Sequence, residues 1–368
     1  MSTAVNPEME EQLRVWAGRL LVAPRDATPN TERNPGILGV FLRRHGVDLC
    51  LHHVLSEHAP AASHTLPGPD TRHEIAVEMA RTHEFCRVSR ALRERFNEPP
   101  LVFKGQALAH TLYPQPWLRP RGDIDILVKR AAMPPLCRAM ERLGYEKALG
   151  TDGDLVMTQT AMRRRSGGVE HVWDLHWKLS NRPALSGIIS CQALRQTAVE
   201  VAVGNTIFAA PSDVDSLLIA CLHLVGHHAG EVRLIWLYDI HLLVAALSGA
   251  ERERFLDKAM DGPRVRAACH AAFELTQRYL PAERTDDLRR ELDPGTGARQ
   301  RSGRTYLSRL AEDARAVDKG HRLRFVRQHV FPSADYMMKR FNIRRRWQLP
   351  FWYAVRIGRA IPKLFRRR

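Results

Sequence analysis

Apolar residues recur at helical spacing toward both ends of the chain and at strand spacing in its middle. From Thr71 to Asn97 the apolar positions Ile75, Met79, Val88, Leu92 and Phe96 fall at or near multiples of four, which predicts an amphipathic helix opened by Asp70 or Thr71. The rest of residues 1–98 also reads as helical, apart from a loop rich in Pro, Ser and Gly around 59–69. The pattern changes after Pro99 and Pro100. Leu101 to Phe103 reads as a short strand, Lys104-Gly105 as a turn and Gln106 to Leu112 as a helix start, before Pro114, Pro116 and Pro120 force a loop. The run GDIDILV at 122–128 reads as a strand entering a core, and Pro134 to Leu143 as a helix stopped by Gly144. Asp154 to Thr160 and Val169 to Trp177 predict a hairpin joined through Arg163 to Gly168, and Val199 to Val203 with Ile207 to Ala210 flank a Gly204-Asn205 turn. Beyond Pro211 the chain is helical again. Ser212 and Asp215 resemble a capping box ahead of Leu217, and helices are expected at about 232–247, 251–260, 264–280 and 303–318.

At 368 residues the chain has room for two or three domains, and 44% apolar residues make it globular. The six cysteines are widely spaced with no Cys-x-x-Cys pair, which fits reduced thiols in a cytoplasmic protein better than disulfides or a zinc knuckle. The start, MSTAVNPEMEEQLR, lacks the basic and apolar runs of a signal peptide. The apolar stretches at Leu217 to Val225 and Ile235 to Leu247 are too short or too interrupted by His223, Asp239 and His241 to span a bilayer, which takes roughly 20 apolar residues.

Charge adds a second theme. The net charge is +16, and Phe341 to Arg368 holds nine Arg or Lys, no acid, and the aromatics Trp347, Phe351, Trp352, Tyr353 and Phe365. Such a tail suits an anionic membrane, on the inner face for a cytoplasmic protein, or nucleic acid. It equally suits a terminal helix that packs its aromatics on the protein and leaves its arginines in water.

The candidate chemistry lies in GDIDILV. In a strand, Asp123 and Asp125 point to one face about 6.6 Å apart at Cα. A core strand that begins with two acids needs a reason to carry that charge, and paired divalent cations for phosphoryl or nucleotidyl transfer supply one. In the segment Val172 to Trp177, Asp174 shares a strand face with Val172 and His176, while Trp173, Leu175 and Trp177 share the other. If that strand lies beside GDIDILV, three carboxylates converge.

Taken together, Lys104-Gly105, Tyr113-Pro114, Arg119-Pro120, Asp123-Ile-Asp125-Ile-Leu-Val, Leu143-Gly144-Tyr145 and Asp174-Leu-His176-Trp177 resemble the uncharacterised bacterial nucleotidyltransferases of the DNA-polymerase-β-like superfamily. His223, His227, Trp236 and Asp239-Ile240 extend the resemblance into the helical part, to cover about residues 95–245. The resemblance implies an α+β fold, a mixed sheet flanked by helices with helical N- and C-terminal regions. The expected divisions are an N-terminal helical region (1–98), a transferase core (99–210), a helical domain (211–320) and a basic aromatic tail (321–368).

The resemblance further implies that Asp123, Asp125 and Asp174 are catalytic and hold two Mg²⁺ ions, with an NTP as substrate and pyrophosphate as product. Lys104, Gly105, Gln106, Arg119, Arg121 and His176 are the expected nucleotide contacts: Gly105 for close backbone approach, the arginines for bidentate phosphate binding. The superfamily usually has Gly-Ser in the turn, and here the pair is Gly105-Gln106. The acceptor, whether protein, RNA or small molecule, is not specified. The competing reading is a non-catalytic scaffold that docks to membrane or nucleic acid through its tail, and a third is γ-phosphate transfer at the same metal site. His223, His227 and His228 have zinc-like spacing but no intervening Glu, which makes them core or partner-facing histidines, with His223 or His227 able to line the cleft.

Overall fold

Seven strands form one sheet: β1 (Leu101–Phe103), β2 (Ile124–Leu127), β3 (Glu146–Lys147), β4 (Gln159–Ser166), β5 (Val169–His176), β6 (Val199–Val203) and β7 (Thr206–Ala210). The computed structural model describes residues 6–26, 35–64, 66, 68, 70–150, 153, 155–227, 232–295 and 306–364. The strand order is β3-β4-β5-β2-β1-β7-β6. The pairs β2–β5 and β1–β7 are parallel and the rest antiparallel, so the sheet is mixed and the fold is α+β.

Period-two alternation gives the central strands two distinct faces. On one, Val102, Ile124, Ile126, Met162, Trp173 and Leu175 pack beneath the helices Thr71–Arg93 and Met133–Arg142, meeting Phe85, Val88, Leu92, Leu136 and Met140. On the other, Leu101, Phe103 and Leu127 pack with Leu194 and Ile219. Asp125, Asp174 and His176 share this second face. The β2–β5 register sets Asp125 opposite Asp174 and Leu127 opposite His176.

Facing the acid-bearing side of the sheet is a helical wall made of Asp213–His227, Leu234–Ala246, Gly249–Met260, Pro263–Tyr279 and Glu283–Glu291. Its core is continuous with that of the N-terminal helices Pro7–Val22, Pro35–His45 and Asp48–His58, through Leu13, Leu42, Leu51, Leu217, Leu237 and Phe273.

Several elements depart from the sequence pattern. The first hairpin strand starts at Gln159, not at 154, which lies outside the described residues, and it runs through the arginines expected in the loop. Arg163 and Arg165 face solvent there, while Arg164 reaches Glu84 at 2.8 Å, so alternation absorbs the charge. The helix after β1 begins at Lys104, two residues before the expected start. The helix from Thr71 ends at Arg93, and Met79, expected in its apolar stripe, is 68% exposed. Glu78 and Glu84 are buried on that helix instead, each ion-paired with arginine, so charge pairs occupy positions where an apolar stripe was sought. The helix Glu283–Glu291 has too few apolar residues to announce itself. No helix of the described residues is long and apolar enough to cross a membrane.

Candidate functional site

The site begins where β1 turns into the helix Lys104–Thr111. Lys104 has φ 53°, in the left-handed region that costs a residue with a Cβ about 1–2 kcal/mol. Of the Lys104-Gly105 pair expected as a turn, Lys104 and not the glycine has the positive φ. This conformation places the Lys104 ammonium 5.0 Å over the Phe103 ring and 2.7 Å from Asp125 Oδ1. The same oxygen accepts a hydrogen bond from His176 Nε2 at 2.8 Å, and the His176 ring stands edge-on to Phe103 at 5.1 Å.

The donor atoms of Asp125, Asp174 and His176 lie within 4.8 Å of one another, a buried Asp-Asp-His cluster compatible with a metal ion. Asp123 stands just before β2 at the exposed mouth, outside that cluster. Burial opposes ionisation of Asp125, but the Lys104 ammonium and the His176 N–H override it and hold the carboxyl well below the usual range. Among the described residues no cation pairs with Asp174. Burial, then the charges of Asp125 and Asp123, push its carboxyl up to about 6, and the carboxylate accepts a hydrogen bond from Gln159 Nε2 at 3.2 Å. Asp123 is likewise raised by the surrounding protein and by Asp125. Burial and Lys104 lower the His176 imidazole, which favours its neutral form.

A layer of arginines builds the adjoining wall. Arg119 makes a buried two-pronged pair with Asp239, Nε to Oδ1 at 3.1 Å and Nη2 to Oδ2 at 2.6 Å, and Tyr113 donates its hydroxyl to the same Oδ1 at 2.8 Å. Gly105 has no Cβ because one would collide with the Arg119 guanidinium. Arg121 pairs with Glu78 at 2.5 Å and donates to Gln106 Oε1 at 2.6 Å. Gln106 is buried and stands outside the cleft lining.

These groups line a cleft of about 560 Å³ between the sheet and the helical wall. Lys104, Gly105, Arg119, Arg121, Asp123, Asp125 and Asp174 border it from one side, and Ser216, His223, Arg233, Trp236 and Asp239 from the other. His228 and the side chain of His227 lie outside the described residues. Pairing inside the site consumes most of its charge: Lys104 with Asp125, Arg119 with Asp239, Arg121 with Glu78. Among the described residues, the uncommitted charges facing the cleft are the carboxylates of Asp123 and Asp174 and the guanidinium of Arg233.

Sequence reading missed Arg233. It is half-buried, donates from Nε to the Arg44 carbonyl at 3.1 Å, sits 5.5 Å over the Trp236 ring, and has no carboxylate partner among the described residues. Burial, then Arg119, disfavour its charge. The available signal was its place just before the helix Leu234–Ala246, which carries Trp236 and Asp239. Gln159 and Asn181, also in the lining, gave no signal because polar residues at a strand end and in a loop are ordinary.

The site therefore combines a mixed sheet, a strand-helix turn, acids on two parallel neighbours and an open cleft beside them. A family model described as "Uncharacterised nucleotidyltransferase" matches residues 38–281, and the chain belongs to that family. Neither a curated protein nor a solved structure matches the chain.

Proposed function

We propose that the cleft binds a nucleoside triphosphate with Mg²⁺ and transfers its nucleoside monophosphate to an acceptor hydroxyl or phosphate, releasing pyrophosphate. The observation that carries this reading is the charge left over after internal pairing: two carboxylates and one guanidinium, suited to a metal and to phosphate oxygens respectively. Asp123, Asp125 and Asp174 offer the carboxylate oxygens that Mg²⁺ prefers, and His176, engaged with Asp125, orients that carboxylate from beside it. A pair of Mg²⁺ ions held there would supply polarisation of the attacking and leaving oxygens.

In this reading the bond formed joins the acceptor oxygen to the α-phosphorus, and the bond broken joins that phosphorus to the oxygen leaving with pyrophosphate. The acceptor's proton passes to Asp174, the carboxylate beside Asp125 on the neighbouring strand. Lys104, the Gly105 backbone and Arg119 flank the triphosphate from the sheet side, and Arg233 meets it from the helical wall. Arg121 and Gln106 act from behind, fixing the loop between Pro116 and Asp123.

Mass spectrometry of the protein and candidate acceptors after incubation with each NTP and Mg²⁺ tests the reaction. The expected result is an acceptor heavier by one NMP, with pyrophosphate released, and loss of both in Asp123→Asn/Asp125→Asn. Nucleotide binding that is independent of Mg²⁺ and unchanged in that variant would remove the proposal. A nucleoside diphosphate as product would replace it with γ-phosphate transfer.

A further inference from the structure

The helix Leu349–Leu364 is anchored by one side and bare on the other. On the anchored side Trp352 stacks on Phe341 at 5.1 Å, Tyr353 donates its hydroxyl to the Pro332 carbonyl at 2.6 Å, and Arg356 donates to the His329 carbonyl at 3.5 Å. The exposed positions Pro350, Phe351, Ala354, Ile357 and Gly358 follow at spacings of three and four, so they form one stripe, and every member is apolar. Phe351 is 64% exposed, and Trp347 just before the helix is 72% exposed. Phe331, just after the helix Arg322–Val330, is 52% exposed and edge-on to Tyr353. Around this apolar surface Arg344, Arg345, Arg346 and Arg359 are exposed, and residues 341–368 contain no acid.

We infer that this surface docks on an anionic phospholipid bilayer, with Phe351, Ile357 and Trp347 entering the headgroup boundary and the arginines meeting lipid phosphates. Two features select this occupant. Exposed aliphatic and aromatic side chains on one helix face gain by leaving water, which a nucleic-acid backbone does not provide for Phe351 and Ile357. The excess of positive charge, of which Asp335 meets only Arg346 at 3.9 Å, favours an anionic surface and would repel a second copy of the same tail. At 16 residues the helix lies on a bilayer and does not cross it. Docking is independent of nucleotidyl transfer and stands or falls on its own.

The test is co-sedimentation of the full chain with vesicles of phosphatidylglycerol and phosphatidylcholine in equal parts, and of phosphatidylcholine alone. Retention is expected on the anionic vesicles and to weaken as salt rises. It should fall by about tenfold or more in Phe351→Ser/Ile357→Ser and in Arg344→Ser/Arg345→Ser, each arginine near such a surface contributing roughly fivefold. All four side chains are exposed, so circular dichroism melting should be unchanged and folding separates from docking. A chain that stays in the supernatant, or variants that bind like the parent, would overturn the inference. So would single-stranded RNA binding without vesicle retention, or a dimer in light scattering that the Phe351 variant abolishes while vesicles retain nothing.

Discussion

Asp174 carries a charge that the metal-free protein disfavours. Its folded-state pKa of about 6 lies above the free carboxylate value of 3.8, so the native chain binds its proton more tightly than the unfolded chain. Stability therefore falls as pH rises between those values, and the cost is fully present above the upper one. Asp174→Asn removes the cost and keeps an acceptor for Gln159. The metal-free variant should be more stable at neutral pH by about 1–2 kcal/mol, a gain that vanishes near pH ~4, as read by denaturant melts across pH. An equal gain at every pH would mean that packing, not charge, is responsible. Lys104 carries the opposite sign. With its ammonium on Asp125 Oδ1, the Asp125 pKa is depressed, and the stability this confers is present above the free carboxylate value and lost as pH falls through the folded one. Lys104→Met should destabilise the metal-free protein by about 2 kcal/mol at neutral pH, less than for a fully buried pair because the lysine is partly exposed. Mg²⁺ should then raise the melting temperature more in this variant than in the parent, since the ion no longer competes with an ammonium for that oxygen. A smaller rise would mean that Asp125 is not where the ion sits. Asp125 and Asp174 were legible in the sequence because charge on a core strand is anomalous, and Lys104 through the family resemblance. The commitments of Arg119 and Arg121 were not, because their partners Asp239 and Glu78 lie far away in sequence.

At the scale of elements, the helix Lys104–Thr111 and the loop carrying Arg119 touch where Gly105 has no side chain. Gly105→Ala places a methyl against the Arg119 guanidinium, which Asp239, itself bonded by the Tyr113 hydroxyl, holds from the other side. The arginine cannot retreat without breaking a buried pair, so the variant should lose about 2–3 kcal/mol. Tyr113→Phe, which removes one hydroxyl from Asp239 and leaves the arginine in place, should lose about 1 kcal/mol. Chemical denaturation gives both values, and a Gly105→Ala loss no larger than that of Tyr113→Phe would mean the arginine has room to move. The strands themselves were readable wherever two signals agreed. GDIDILV combined alternation with a flanking glycine, and the segment ending at His176 sorted its tryptophans and acids onto opposite faces. Strand β4 was misplaced because three consecutive arginines suggest a loop when the partner that absorbs Arg164, Glu84, belongs to a helix elsewhere. Register between β2 and β5 had to be supposed, since parallel pairing over so long a connection leaves no local trace.

At the scale of the whole molecule, the cleft has two walls with separate cores: the sheet beneath the helices Thr71–Arg93 and Met133–Arg142, and a helical wall joined to the N-terminal helices. Lys104 and the acids belong to the first and Arg233 to the second, so a triphosphate held by both would bridge them. Arg233→Ala should weaken binding of a non-hydrolysable NTP with Mg²⁺ by roughly tenfold to a hundredfold, the range for losing a charge-assisted hydrogen bond. Melting of the free variant should scarcely change, because Arg233 balances no carboxylate. Hydrogen exchange supplies the second reading. In the parent, nucleotide should protect amides in 101–127 and in 234–246 together, whereas in Arg233→Ala protection of the helix should be lost first. Protection confined to 101–127 in the parent would put the triphosphate on the sheet alone and leave Arg233 without the role assigned to it. Protection of both walls that survives in Arg233→Ala would show that Trp236 or His223, and not the guanidinium, makes the link.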